Sequence, residues 1–324
     1  DMKKVYLQDH SDMTGAGNWI YEGYRRAWES LGFETQYILG DIHEFQEVFK
    51  NLENPNNDIR MMLTDGFYNL FVNMPEEDDR WECLVERITK NAKIYLYAQP
   101  THFPMPWGSH VNFKSFCSPE LIQETNLLDN VKLWSFVDIN KDYYPLWKHI
   151  ETVPLAFDNI GYEYLEDEKY KFDVCFVGGR ANNGFDEKYK IMMSHFSAFK
   201  DSGLKCGIFV GKNLTHEQEN KLLYNSKVAI NVHDAYQRKL RLDTNERTFK
   251  ALGLTGALVA DDEGQLQRLF PDVKRTNDPK EMVKFVKEYV NMPEEKLSAI
   301  KETNRKMILD NHTYVHRVKQ LMEL

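Results

Sequence analysis

Short apolar runs alternate along the chain with longer stretches whose apolar positions recur every three or four residues. The short runs predict strands buried in a sheet, and the longer ones predict amphipathic helices. Their regular alternation predicts parallel sheets covered by helices, an α/β fold. In the first half, strands are expected at residues 4–8, 33–39, 59–64, 93–98 and 131–137. A helix is expected from about Asn18, with Ile20, Tyr24, Ala27, Trp28 and Leu31 on one face and Gly32 as its stop, and another around residues 79–90.

The second half repeats the scheme. Strands are expected at residues 172–178, 205–210, 227–232 and 256–260, with a helix carrying Tyr189, Met192, Met193, Phe196 and Phe199 after the first. Thr215-His216-Glu217-Gln218 reads as a capping box, and a further helix is expected near residues 246–252. Asp278-Pro279-Lys280-Glu281 supplies an N-cap, a proline at the first helical position and a glutamate at the third, starting a helix to about Val290. Helical patterns at residues 294–310 and 313–324 close the chain. The boundary between the two series is expected between Pro154 and Phe172. Two such open sheets joined by one segment form a cleft, with ligands at the carboxyl ends of their strands.

Composition narrows the class. The longest uncharged stretch, residues 94–113, contains Pro100, Pro104, Pro106 and two histidines, so it is not a membrane span. Met2-Lys3-Lys4 leads straight into a strand-like run instead of the apolar core of a signal peptide. Cys83, Cys117, Cys175 and Cys206 show no CxxC spacing, which predicts reduced thiols, no disulfide frame, no zinc site and a cytoplasmic protein. The formal charge is 41 − 50 = −9, unevenly shared. Residues 1–155 carry 14 Lys+Arg against 24 Asp+Glu, a net of −10, whereas residues 156–324 carry 27 against 26. An acidic half repels phosphate backbones, so no nucleic-acid partner is expected, while the balanced half suits a small anionic ligand.

Four places carry candidate chemistry. Thr14-Gly15-Ala16-Gly17-Asn18 lies between the first strand and first helix, where Gly15 and Gly17 allow backbone N–H groups to approach an anion. It lacks the third glycine of GxGxxG and the Lys-Ser/Thr of a P-loop, and a plain tight turn fits it equally well. Phe176-Val177-Gly178-Gly179-Arg180 ends a buried strand in two glycines and an arginine, suited to a diphosphate. Asp243-Thr244-Asn245-Glu246-Arg247 opens the helix before the last strand. Asp, Thr and Asn there are ordinary capping residues, but Arg247 in the first turn opposes the helix dipole unless an anion or acid compensates. His102 follows a strand of the acidic half, where its side chain can face the cleft. No Ser-His-Asp order, HExxH, EF-hand or deaminase pattern occurs.

From Phe172 onward the sequence resembles the C-terminal domain of GT-B glycosyltransferases, in particular the spore-maturation (CgeB-like) group and the retaining family 4-type enzymes. The matching pieces are Phe176-Val177-Gly178-Gly179, Val228-Ala229-Ile230-Asn231-Val232-His233, and Arg247-Thr248-Phe249 followed by Gly256. Leu269-Phe270, the helix after Asp278 and His312-Thr313-Tyr314 with Arg317 complete them, and Val153-Pro154-Leu155-Ala156-Phe157-Asp158 looks like the interdomain crossing. Many related retaining enzymes carry a Glu just after the Phe, holding the donor ribose. This chain has Lys250 there.

The resemblance implies a Rossmann-like acceptor domain over residues 1–155, a Rossmann-like donor domain over 156–310, and a terminal helix over 311–324 that packs back on the first. It implies a glycosyltransferase that moves a sugar from a UDP- or GDP-linked donor to a glycan or other hydroxyl acceptor, without metal or other cofactor and with retention. The donor is expected at Gly15, Gly17, Gly178, Gly179, Arg180, Asn231, His233, Asp243, Glu246 and Lys250, with His102, Arg247 and Asp12 as catalytic candidates. Asp9, His10 or Asp12 would serve as base in an inverting enzyme. A nucleotide-sugar epimerase or hydrolase and a non-catalytic nucleotide- or glycan-binding protein are the alternatives. A peripheral membrane contact and the oligomeric state stay open.

Overall fold

In each half of the molecule the first strand sits inside its sheet, with its successor on one side and a later strand on the other. The computed structural model describes residues 1–9, 16–74, 79–98, 115–139, 141, 144–179, 186–211 and 214–324. They fall into two compact units, residues 1–154 with 317–324, and residues 155–316.

The first unit runs β1 (Lys3–Gln8), α1 (Ala16–Ser30), β2 (Glu34–Ile38), α2 (Ile42–Leu52), β3 (Asp58–Thr64) and α3 (Asp65–Val72). It continues through α4 (Asp79–Asn91), β4 (Lys93–Tyr97), α5 (Pro119–Asn126), β5 (Val131–Ser135) and β6 (Ile150–Thr152). The sheet order is β2-β1-β3-β4-β5-β6, all parallel, with Val5 of β1 opposite Thr35 and Arg60. Val5, Tyr6 and Leu7 are fully buried, as expected for a parallel strand covered on both faces. Trp28 of α1 meets Phe33 edge-on at 5.0 Å, and Phe45 of α2 stacks on Phe71 of α3 at 4.3 Å.

The second unit runs β7 (Val174–Gly178), α6 (Asp186–Lys200), β8 (Cys206–Val210), α7 (His216–Asn225), β9 (Val228–Asn231), α8 (Ala235–Leu240) and α9 (Glu246–Lys250). Then come β10 (Leu258–Ala260), α10 (Gly264–Leu269), β11 (Lys274–Arg275), α11 (Pro279–Asn291) and α12 (Glu294–Asn311). Helix α13 (Tyr314–Met322) ends the chain, and Arg317 Nε donates to the Pro154 carbonyl at 2.9 Å. The sheet order is β11-β10-β9-β7-β8, again all parallel. Its core gathers Val174, Phe176, Phe199, Ile230, Val259 and Val286, and full burial of each large side chain is worth roughly 1.5–3 kcal/mol.

The caps expected from sequence form. Thr215 Oγ1 accepts from Gln218 N at 3.1 Å while Gln218 Oε1 accepts from Thr215 N at 2.9 Å, and Asp278 accepts from Lys280 N at 3.0 Å. Several short elements were not expected, namely α2, α3, α5, α8, α10, β6 and β11. Of these, α2 does carry a local signal, a capping box between Asp41 and Glu44. The helix expected over residues 246–252 ends at Lys250 and widens into a π turn, Ala251–Thr255. Gly256 stops it at φ 81°, and a Cβ there would lie 2.8 Å from Lys301 Cα of α12, so only glycine fits both the dihedral and the packing. Cys117 and Cys175 are buried, Cys206 is half-buried and Cys83 is exposed; all four are free thiols. Among the described residues no helix is long and apolar enough to cross a membrane.

Candidate functional site

In the second unit β7 is followed by β8 on one side and β9 on the other, so the order reverses between β7 and β9. Carboxyl ends of parallel strands at such a reversal leave a crevice where ligands bind. Here those ends are Gly178 of β7 and Asn231 of β9, and Asp261 follows β10 beside them.

Arg247 of α9 occupies this position. Its Nε donates to Asn231 Oδ1 at 3.0 Å and its Nη2 to the Val232 carbonyl at 3.1 Å. The guanidinium lies over the Phe176 ring, 5.1 Å from the centroid. A Cβ on Gly178 would come within 2.9 Å of Arg247 Nη1 and 2.7 Å of the Phe176 ring. Glycine at the end of β7 is therefore what lets the guanidinium reach this strand. Burial, the leading influence, pulls Arg247 below the ordinary arginine value. Among the described residues no carboxylate forms an ion pair with it. Two of the five guanidinium N–H donors are used in these bonds, which leaves three for a ligand.

Behind Arg247 lies a buried polar chain. Asn231 Nδ2 donates to Asn245 Oδ1 at 2.7 Å and to Thr248 Oγ1 at 2.9 Å. Thr248 Oγ1 and Thr244 Oγ1 are 2.7 Å apart, Thr244 Oγ1 is 2.7 Å from His233 Nε2, and His233 Nδ1 is 2.6 Å from Asp261 Oδ1. Desolvation works against the charged imidazole, but the Asp261 carboxylate outweighs it and holds His233 above its usual value. Asn231, His233 and Asp261 are fully buried.

A second cluster surrounds Lys250, at the other end of α9. Its ammonium is 2.6 Å from Glu219 Oε1 of α7 and 3.9 Å from Glu246 Oε1, and lies 5.8 Å from the centroid of the Tyr162 ring. Burial, followed by the nearby Glu219 and Asp158 carboxylates, pushes the Glu246 carboxyl up to about 7, and its Oε2 has no hydrogen-bond partner. Asp243 is likewise lifted to about 7 by burial, against a hydrogen bond from Gln237 Nε2 at 3.2 Å.

Of the residues singled out from sequence, Gly178, Asn231, His233 and Arg247 thus meet at the crevice end of the second sheet. Gly179 is exposed just beyond β7, and Gly17 is half-buried in the first turn of α1. Asp243, Glu246 and Lys250 are buried around α9. His102, Asp12, His10, Gly15 and Arg180 lie outside the described residues. Sequence reasoning missed Asp261 and Glu219. Asp261 follows directly on β10, a position from which it could have been proposed. Glu219 is 31 residues from Lys250 and no local pattern marks it. No group of three or more His, Cys, Asp or Glu side chains among the described residues is arranged to hold a metal ion.

The whole chain superposes on T4 phage BGT in complex with UDP and Mn2+ with a TM-score of 0.54, at 15% identity and covering 100% of each chain. AviGT4, a glycosyltransferase involved in avilamycin A biosynthesis, matches with a TM-score of 0.53 at 12% identity, over 99% of this chain and 96% of its own. An alpha-glucosyltransferase in complex with UDP and a 13-mer DNA containing a HMU base matches at 0.58 and 11%, over 96% and 95%. At these identities the likeness speaks for the fold. No curated protein matches the chain. The family model for glycosyl transferase-like proteins matches residues 165–323, the segment that holds Arg247, Asn231 and Gly178. Residues 165–323 are therefore a glycosyl transferase-like domain, and the chain as a whole has the GT-B fold.

Proposed function

We propose that the chain transfers a sugar from a UDP- or GDP-linked donor to a hydroxyl of a glycan or similar acceptor, independently of metal and with retention of configuration. The observation that carries this reading is Arg247, a half-buried guanidinium whose hydrogen-bond partners are all neutral, with three N–H donors unspent at the carboxyl ends of β7 and β9. Asp234, Asp261, Glu246 and Glu219 act on this cation only from a distance and none pairs with it directly, so its desolvation carries a cost that an anionic ligand reduces. The donor's diphosphate has the right charge and the planar oxygen pairs that guanidinium binds bidentately.

In the reaction the acceptor oxygen bonds the anomeric carbon as the bond from that carbon to the diphosphate breaks. The hydroxyl proton ends on the departing diphosphate. Negative charge grows on that diphosphate, and Arg247 with the peptide N–H groups around Gly178 and Gly179 stabilises it where it develops. Retention follows from the resemblance to the retaining enzymes. UDP, bound by two of the structural relatives, is the first nucleotide to test, and the Mn2+ in one of them makes the metal question an experimental one. One of these two relatives also holds DNA, but the net charge of −10 on residues 1–155 favours a glycan or small hydroxyl acceptor over a phosphate backbone. Four free thiols suit a cytoplasmic protein.

The test is a thermal-shift series with UDP-, GDP-, dTDP- and ADP-sugars, each with and without EDTA, on the native chain and on Arg247→Ala. One nucleotide class is expected to raise the midpoint of the native chain with or without EDTA, and to leave Arg247→Ala unshifted. A midpoint unmoved by every donor, or moved only with a divalent ion, would overturn the reading or its metal-independent part respectively.

A further inference from the structure

His233 has both ring nitrogens engaged and no exposed surface, and Asn231 is equally enclosed, so neither presents a free polar edge to a ligand. Their bonds nevertheless form one continuous path to Arg247. Both amide hydrogens of Asn231 are committed, one to Asn245 Oδ1 and one to Thr248 Oγ1. Its Oδ1 is therefore turned toward Arg247 Nε, and a flipped amide would set donor against donor at that point.

The donors run in a single direction when His233 is neutral with its proton on Nδ1. Asn231 donates to Thr248, Thr248 to Thr244, Thr244 to His233 Nε2, and His233 Nδ1–H to Asp261. Every hydroxyl then has a donor role and an acceptor role. Asp261 is itself anchored, accepting from the His233 backbone N–H through both oxygens (3.1 and 3.0 Å) and lying 3.4 Å from Arg238 Nε. A buried network with all members satisfied is rigid, because moving one member leaves another without its partner.

We infer that Asp261, His233, Thr244, Thr248 and Asn231 form a positioning relay that holds the Arg247 guanidinium in the plane and at the height where it meets the diphosphate. In this role Asn231 and His233 act through Arg247 and do not touch the donor. The inference rests on the reading of Arg247 given under Proposed function.

Thr244→Val breaks the relay in the middle with almost no change of volume, and Thr244→Ser restores the hydroxyl. Calorimetry with UDP and with GDP, alongside thermal midpoints, is run on both variants, on Arg247→Ala and on the double variant. Thr244→Val is expected to weaken nucleotide binding about fivefold or more, with Thr244→Ser within about twofold of the native chain. The loss is expected to vanish in the Arg247→Ala background, because the relay then has nothing to position. Should Thr244→Val fail to fold, Thr248→Val breaks the same path one link closer and carries the same expectations. Native nucleotide affinity in Thr244→Val, or a loss that simply adds to that of Arg247→Ala, overturns the relay while Arg247 stands. Native affinity in Arg247→Ala overturns the reading of Arg247 itself, and the relay with it.

Discussion

Arg247 and Lys250 stand three residues apart on α9, the first half-buried, the second buried and both over an aromatic ring, yet their charges are handled in opposite ways. Lys250 is met by Glu219 at 2.6 Å, with Glu246 at 3.9 Å. Burial pulls its ammonium down, but Glu219, Tyr162 and Glu246 together lift it above the ordinary lysine value. Arg247 is met by an amide oxygen, a peptide carbonyl and the Phe176 face, all neutral. One cation is neutralised inside the protein and serves the fold. The other has neutral hydrogen-bond partners only, which is what the proposed diphosphate site needs. On the proposed reading, a binding cation is told from a structural one by whether a carboxylate already holds it.

The strongest way to break this contrast is to remove each cation. Lys250→Met is expected to cost about 3–5 kcal/mol of stability in a urea titration, since Glu219 is left buried without its counter-charge. Replacing Glu219 by methionine in the same chain should recover much of that loss, and a double variant as unstable as the single one would show that the pair is not what Lys250 contributes. Arg247→Ala should fold, and should lose on the order of 2–4 kcal/mol of donor binding by calorimetry, the usual loss for truncating one partner of a desolvated charged contact. Unchanged affinity would place Arg247 with Lys250 among the structural cations.

Smaller effects sharpen the picture. The fold holds the Glu246 carboxyl at about 7 against an ordinary 4.5, so the folded state prefers its protonated form. Such a group stabilises most fully below its ordinary value and loses that contribution as pH rises through about 7. Glu246→Gln should therefore be more stable than the native chain at about pH 8, by on the order of 2 kcal/mol, with the gap closing at about pH 4. Equal thermal midpoints at both pH values would count against a carboxyl that burial holds in its protonated form. Gly178→Ala forces a methyl against Arg247 Nη1 and Phe176. It should weaken donor binding by about 1 kcal/mol, at the low end of overpacking costs, through displacement of the guanidinium.

Much of the frame was legible from local pattern. The runs that became β1, β3, β4, β7 and β9 are buried on both faces and read as apolar blocks. Helices α7 and α11 announce themselves through Thr215–Gln218 and Asp278–Pro279 because a cap involves neighbours within a few residues. The short elements were not legible. Strand β11 has two residues, β6 has three, and α8 and α10 have six each, too few for a period to show. In the site, Arg247 stood out because a cation in a first helical turn is electrostatically misplaced, and Gly178 because it ends a buried run. Thr244 reads as an ordinary capping residue until the structure sets it, with Thr248, between Asn231 and His233.

The sequence alone determined the alternation of strand and helix, the helix starts and the candidate anion-binding residues, because these depend on periodicity and on contacts a few positions apart. Only the tertiary structure decided which of the two cations on α9 a carboxylate meets directly. Glu219 reaches Lys250 across 31 residues and Asp261 reaches His233 across 28, so the charge balance at each cation comes from partners the chain folds together.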